Sequence, residues 1–292
     1  MYIKKEDLTI IIVTFESEHV IYNCLESIDN ELNIIVVDNS NNQKLKDQIE
    51  KKYKNVKCVL SSKNIGMGSG NNLGIKNVKS DYALILNPDV ILETDTINEL
   101  IEAGNKIKNF GIIAPISKNQ KYPNYKLFKK TEEIDQAPFK VQSIDGYAMF
   151  LNLKILKSLN NFYFFDENFF LYLENDDFCK RIINIKKDIY IVPKSKINHL
   201  GGKAVNILYE KEIELSRNWH WIWSKFYFNK KHYGFIFASI NGLPTFLSAL
   251  MKFIFYTMVN NKYKKKIYLN RCSGFINAFF GRKSYYRPKI NN

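Results

Sequence analysis

Tyr82-Ala-Leu-Ile-Leu-Asn-Pro-Asp-Val90 is the stretch that decides the architecture. Tyr82 to Leu86 is an apolar run without a polar face, the pattern of a strand buried on both sides. Asn87, Pro88 and Asp89 stop it, because proline has no N–H to give to a sheet ladder. Asp89 then lies at the carboxyl edge of the strand, where open α/β sheets bind ligands. A carboxylate there, two positions from the Asn87 amide, suits a hard divalent cation carrying a diphosphate. It equally suits an aspartate closing a turn after proline.

Upstream, the same kind of strand recurs. Leu8 to Thr14 is apolar and β-branched throughout, and Ser17 is placed to cap a helix through Ile28. That helix sets Val20, Ile21, Cys24, Leu25 and Ile28 on one stripe, so Cys24 packs rather than reacts. Asn33 to Asp38 is a second buried strand, again closing on a carboxylate, followed by a helix from Gln43 to Lys54 and a strand from Val56 to Leu60. Strand–helix–strand–helix–strand is the signature of a parallel doubly wound sheet. Gly66, Gly68 and Gly70 then predict a tight turn before a helix from about Asn71 to Val78, whose first N–H groups face phosphate. The spacing is neither GxGxxG nor a Walker loop.

Downstream come a helix from Asp95 to Lys108, a strand from Phe110 to Pro115 and an irregular excursion from Ile116 to Gln142. Val141 to Leu153 resumes as strand, with Asp145-Gly146 inside it; a strand glycine marks close approach of a ligand or another backbone. Phe162 to Leu173 is an aromatic wall that runs into Glu174, Asn175, Asp176 and Asp177. These acids favour the start of a helix through its dipole. Alternatively, aromatic surroundings raise one of them towards a general base. Asp188 to Pro193 is a last short strand, and His199 follows in a loop before Gly201-Gly202, where an imidazole is a ready metal ligand.

The 292 residues are 46% hydrophobic and 14% aromatic, too apolar for disorder and enough for one large domain, or for one domain plus an appendage. Four scattered cysteines without a CxxC pair suggest neither zinc nor a disulfide framework, and point to a reducing compartment. The first residues lack the layout of a signal peptide. The formal charge of +14 is unevenly spread. Beyond about Glu214, Trp219, Trp221, Trp223, Phe226, Tyr227 and Phe228 crowd together, and a basic series runs from Lys262 to Lys289. Tyr233 to Val259 is apolar but interrupted by Asn241, Gly242, Pro244 and Lys252, which predicts a broken, interfacial helix pair rather than a membrane span. Residues 233–289 are expected to meet an anionic membrane surface, with the aromatic residues at headgroup level. Packing on the first domain, or a homodimer, is the alternative. No nucleic-acid motif accompanies the charge.

Val13-Thr14-Phe15, Val37-Asp38-Asn39-Ser40, Asn64-x-Gly66, Gly70-Asn71-Asn72-x-Gly74, Leu86-Asn-Pro-Asp89, Phe170-x-Tyr172-x-Glu174 and Asn198-His199-x-Gly201-Gly202 occur in that order. With them the chain resembles family 2 inverting glycosyltransferases, in particular the bacterial rhamnosyltransferase-like branch, over about Leu8 to Phe228. The resemblance implies a GT-A fold, a Rossmann-like α/β architecture with a mostly parallel central sheet flanked by helices. Residues 1–214 would form the catalytic domain (nucleotide-binding half about 1–115, acceptor half about 116–214), and 215–292 a helical basic extension. It further implies that Thr14, Glu16, Asp38, Asn64, Gly66, Asn71, Asn87 and Asp89 line a UDP- or dTDP-sugar, with Asp38 accepting from the imide N–H of a pyrimidine. Asp89 and His199 would hold Mg²⁺ or Mn²⁺. Asp145, Gly146 and Tyr172 would face a saccharide or lipid-linked acceptor. The family's acidic pair reads Glu174-Asn175 here, so Glu174 is the first candidate for the base and Asp177 the second, with Asp176 towards solvent. The implied role is sugar transfer in bacterial surface polysaccharide synthesis (O-antigen, lipooligosaccharide or capsule), in the cytoplasm at the inner face of the membrane. Asn87 and Asn175 in place of acids leave open a non-catalytic nucleotide-sugar-binding scaffold. A sugar nucleotidyltransferase expects a glycine-rich basic loop after the first strand, which Thr14-Phe-Glu-Ser17 does not supply.

Overall fold

A computed structural model describes residues 2–118, 123–129, 136–160 and 162–290. The predicted excursion from Ile116 to Gln142 lies partly outside these residues. The chain forms two compact units: Met1–Asp166 with Asn175–Asn206, and Glu167–Glu174 with Ile207–Asn292.

In the first unit the elements follow as β1 (Leu8–Thr14), α1 (Glu18–Glu26), β2 (Asn33–Asp38), α2 (Gln43–Lys52), β3 (Val56–Leu60), α3 (Met67–Asn77), β4 (Tyr82–Leu86), β5 (Val90–Leu92), α4 (Thr96–Lys106) and β6 (Phe110–Ser117). Then come β7 (Tyr125–Lys126), β8 (Phe139–Lys140), β9 (Ser143–Ile144), β10 (Ala148–Asn152), α5 (Leu153–Lys157), α6 (Glu174–Asn184, whose first residue falls in the second unit) and β11 (Asp188–His199). One sheet runs β3-β2-β1-β4-β10-β6-β11-β5, with β8 on β11, and β7 pairs β9 separately. β3, β2, β1 and β4 are parallel, and β10 enters antiparallel between β4 and β6. Every residue of β1 is buried, and both sheet faces carry apolar clusters under helices, as the unbroken Ile/Val/Leu runs require.

Five expectations change. Ser17 precedes α1 but makes no capping bond to it; its hydroxyl instead accepts from the Phe15 N–H at 3.1 Å. α3 begins at Met67, so Gly68 and Gly70 lie inside the helix rather than in a phosphate loop. Their neighbours explain why: a Cβ on Gly70 would sit 2.7 Å from Val13 Cγ1, and one on Gly74 2.4 Å from Ile11 Cγ2. Bare glycine lets α3 lie against β1. Strand β11 does not stop at Pro193 but runs to His199, because a register shift against β6 between Val192 and Lys196 accommodates the proline. His199 is therefore a strand end, not a loop residue.

The second unit holds α7 (Glu210–Tyr233), α8 (Phe235–Met258) and α9 (Lys262–Phe279). Here the fourth difference lies: α8 is one continuous helix through Pro244. An interior proline costs about 3 kcal/mol in an isolated helix. Packing offsets it, since Ala238 and Ala249 are buried and Gly242 abuts Phe275 and Phe226. Two of the three tryptophans are also too buried to sit among headgroups; Trp221 is 44% exposed. Trp219 and Trp223 are buried with Phe226, Phe275 and Ala278 in the core of this unit, on the face that the i, i+4 spacing of α7 creates.

Candidate functional site

Parallel β1, β2 and β4 end level with one another, Thr14 opposite Asp38 and Ile12 opposite Leu86, so their carboxyl ends gather the predicted polar residues at one edge. Thr14 Oγ1 donates to Asp38 Oδ1 at 2.9 Å, and the Asn42 N–H donates to Asp38 Oδ2 at 2.8 Å. Asp38 is buried, and each of its oxygens keeps a lone pair beyond these bonds. Glu16 sits in a left-handed backbone conformation (φ 52°), with its N–H on Ser40 Oγ at 2.7 Å. Burial first, and Asp38 and Glu18 after it, push its carboxyl above the ordinary range, against the lowering effect of the Ser40 bond. Asn64 Oδ1 accepts from the Gly66 N–H at 3.1 Å, Gly66 precedes α3, and Asn71 Oδ1 is buried without a partner.

The turn Asn87–Asp89 is fixed from two sides. The Asn87 N–H donates to the Tyr147 carbonyl at 2.9 Å, and the Leu200 N–H donates to the Asp89 carbonyl at 3.0 Å. β5 pairs with the end of β11, opposing Val90 to His199. That register carries His199 to Asp89, with Nε2 3.4 Å from Oδ2. The two residues are 110 positions apart and meet because β11 runs past its proline. Asp89 is only 2% exposed and its Oδ1 has no partner.

Among the described residues no group of three or more His, Cys, Asp or Glu is placed to hold a metal ion. The Asp89–His199 pair nevertheless fits one. A buried carboxylate oxygen left unsatisfied is costly, and Mg²⁺ or Mn²⁺ commonly takes one or two protein ligands and completes its shell with water and substrate phosphate. Tyr147, which the sequence reading missed, stacks on the His199 ring at 4.0 Å between centroids. Burial is the main cause raising its phenol pKa, with Asp145 and Asp89 adding and a bond to Ser117 opposing. Its place directly after Asp145-Gly146 was the available signal.

Asp145 and Gly146 lie just ahead of β10. Burial and then Asp176 raise the Asp145 carboxyl, opposed by Lys126 and His199. A Cβ on Gly146 would be 3.2 Å from the Asn175 Cβ, and Asn175 Nδ2 donates to the Ile144 carbonyl at 2.8 Å. Asp177 is wholly buried and pairs with Arg181 at 2.8 Å, while Arg181 also donates to the carbonyls of Tyr163 and Phe164. Asp176 is not turned to solvent: Lys126 Nζ lies 2.8 Å from its carboxylate.

Glu174 and Tyr172 belong to the second unit. Glu174 is buried, and the two residues before it, Tyr172 (φ 70°) and Leu173 (φ 65°), are both left-handed, a strained conformation for non-glycine residues. The segment is held in that shape by α7 and by the C-terminal segment after α9. Ser224 Oγ donates to the Leu171 carbonyl at 2.8 Å, Ser284 Oγ to the Asn168 carbonyl at 2.6 Å, Trp221 meets Tyr172 edge-on, and the Arg287 guanidinium lies 3.7 Å from the Phe170 ring centre. Sequence reasoning missed these clamps, because no spacing links residues 49 to 117 positions apart.

Residues 9–183 match the family model described as Glycosyl transferase family 2. A hexosyltransferase of low-salt glycan biosynthesis, Agl10 from Haloferax volcanii, is 28% identical over 194 residues, 60% of this chain and 61% of the relative. A teichoic acid poly(glycerol phosphate) polymerase from Staphylococcus epidermidis is 34% identical over 117 residues, 37% of this chain and 16% of its own length. The chain thus spans about three fifths of the first relative and a sixth of the second. Among solved structures, the mannosyltransferase PcManGT from Pyrobaculum calidifontis, in complex with GDP-Man and Mn²⁺, aligns with 96% of this chain and 89% of its own (TM-score 0.57, 10% identity). S. aureus TarS 1–349 aligns with 96% and 93% (TM-score 0.53, 18% identity). These likenesses establish the expected GT-A-like α/β fold with C-terminal helices.

Proposed function

This chain belongs to glycosyl transferase family 2, and from that premise we propose that it is an inverting, metal-dependent glycosyltransferase. It moves a hexose from a UDP- or dTDP-sugar to a hydroxyl of a saccharide or lipid-linked acceptor in surface-glycan synthesis at the inner face of a membrane. The observation that carries this reading is the buried Asp89 carboxylate, one oxygen beside His199 and the other unsatisfied, at the edge where β1, β2 and β4 end.

In this mechanism Asp38, held by Thr14 and Asn42, accepts from the imide N–H of the pyrimidine. Asn71, with its buried unsatisfied oxygen, takes a donor from the ribose side of the nucleotide. Asp89 and His199 would hold the divalent cation, which when bound would supply Lewis-acid neutralisation of the departing nucleoside diphosphate. Glu174 takes the acceptor hydroxyl proton as that oxygen attacks the anomeric carbon and the bond to the diphosphate breaks on the opposite face. Asp177, occupied by Arg181, positions the start of α6 instead of receiving the proton. Asn175 is no argument for a non-catalytic scaffold, because its amide has a structural bond that a carboxylate could not make.

The test is a thermal-shift panel of UDP-, dTDP- and GDP-sugars with Mn²⁺ or with EDTA, followed by transfer assays with the best binder. A bound donor raises Tm by mass action. A pyrimidine nucleotide-sugar should stabilise the protein only with Mn²⁺, and Glu174→Gln should keep that shift while losing transfer. Equal shifts with EDTA would remove the metal assignment, and normal transfer by E174Q would remove the base.

A further inference from the structure

Of the 43 lysines and arginines, 14 lie after Glu214, where there is no aspartate or glutamate. The preceding residues hold 29 cations and 29 acids, so the entire +14 resides in the helical segment. Within it, α8 has two unlike faces. Ala238, Gly242 and Ala249 turn inward. Opposite them, Ile236, Ile240, Leu243, Leu247, Met251 and Ile254 form one exposed stripe at intervals of four, three, four, four and three, with Ile236 75% and Met251 65% exposed. At 1.5 Å per residue the stripe is roughly 27 Å long. Cations mark both its ends. Lys230 and Lys231 close α7 just before α8 begins, and Lys262, Lys264, Lys265 and Lys266 open α9 just after it ends. Lys264 also lies over the Tyr256 ring of α8.

We infer that this stripe is a membrane-docking surface on which α8 lies in the plane of an anionic lipid leaflet, its apolar row in the acyl boundary and its flanking lysines among the headgroups. By length and composition α8 is sufficient to cross a bilayer. Its inner face, however, is locked into α7 and α9: a Cβ on Gly242 would meet Phe275 at 2.6 Å, and one on Gly274 would meet the Trp219 carbonyl at 2.4 Å. Crossing would carry the lysines and arginines of both partners into the bilayer core, whereas lying flat leaves them at the surface. A second copy of the chain is a poorer occupant. Whether two α8 stripes met parallel or antiparallel, a basic end would face a basic end, while acidic lipid neutralises both.

This deepens the reading of a lipid-linked acceptor by naming the surface that meets the lipid, and its test does not depend on sugar transfer. Full-length protein is floated with vesicles of neutral phosphatidylcholine, and with vesicles in which about a third is phosphatidylglycerol. It should float only with the second, and lose flotation in high salt. A triple variant, I240N/L247N/M251N, should cut flotation at least tenfold. K262Q/K264Q/K266Q should weaken it and reduce its salt dependence. Both variants change exposed side chains, so an unaltered melting curve and an unaltered shift with UDP and Mn²⁺ report that folding and the nucleotide site are intact. No flotation of the parent protein, or equal flotation of the triple variant, overturns the inference. So does a dimer in sedimentation that the triple variant abolishes, which would assign the stripe to a second copy.

Discussion

Asn175 stands where the resembling enzymes carry an acid, and Asn175→Asp would restore that acid; the structure predicts that the restored side chain harms the fold. Asn175 Nδ2 donates to the carbonyl of Ile144, a residue only 1% exposed. An ionised carboxylate has no hydrogen to donate. The substitution therefore removes one amide–carbonyl bond, sets a negative charge against a carbonyl, and adds to a neighbourhood that already holds Asp145 and Asp176, whose mutual repulsion helps raise the Asp145 carboxyl. A lost neutral hydrogen bond with a partly unsatisfied partner costs about 1–2 kcal/mol, allowing for the water that reaches this half-buried position. At about 1.4 kcal/mol per pH unit this equals a folded-state pKa raised by about one unit for the introduced carboxyl. The penalty is present above the folded pKa and disappears as pH falls below the ordinary value near 4, where the protonated acid can donate. Urea denaturation of parent and N175D between pH 4 and pH 8 measures it. The difference should be largest at pH 7–8 and shrink towards pH 4. A difference that is absent at pH 7.5, or that does not change with pH, would refute the role given to the Ile144 bond.

The remaining expectations rest on other contacts. Gly74→Ala should destabilise by about 1–3 kcal/mol, since its methyl would lie 2.4 Å from Ile11 Cγ2, and Ile11→Ala should relieve part of that loss in a double-mutant cycle by urea melts. Asp89→Asn should leave the apoprotein at least as stable as the parent, because it replaces a buried carboxyl that has one oxygen unsatisfied, yet abolish the Mn²⁺-dependent thermal shift with UDP; a retained shift contradicts the assignment. Ser224→Ala should lower transfer more than donor binding, as the Leu171 carbonyl loses its donor two residues before the strained Leu173; equal loss of both would show general damage instead. His220 is wholly enclosed, and burial above all lowers its pKa to about 4, with Arg287 adding and a bond to the Tyr286 carbonyl opposing. The unfolded chain therefore binds a proton below about pH 6.5 that the folded chain refuses, and stability falls by on the order of 3 kcal/mol between pH 6.5 and 4. His220→Phe should flatten that limb in pH-dependent melts.

β1, β2 and β4 were legible because a strand buried on both faces leaves no room for polar residues, and Ile10-Ile-Ile-Val13, Ile34-Ile-Val-Val37 and Ala83-Leu-Ile-Leu86 have none. The meeting of Asp89 and His199 was legible too, although from resemblance rather than from spacing. What the sequence hid were places where packing overrides local preference. Gly68 and Gly70 read as a loop, but they are helical, and Gly70 with Gly74 lets α3 touch β1. Pro193 and Pro244 read as stops, yet a register shift and a bundle interface carry β11 and α8 through them. The tryptophans of α7 read as lipid anchors, yet Trp219 and Trp223 are buried in the core of their own unit and only Trp221 is exposed. Tyr147 beneath His199 had only its place after Asp145-Gly146 to mark it, since nothing local announces a ring stack across 52 residues.

Glu167–Glu174 folds with the C-terminal helices although it precedes them by more than thirty residues. The consequence is practical: residues 207–292 are no detachable appendage that can be trimmed or transplanted by a single cut. A hybrid that borrowed another relative's helices would need that relative's version of the octapeptide as well, or Glu174, the proposed base, would hang from a loop shaped for a different host.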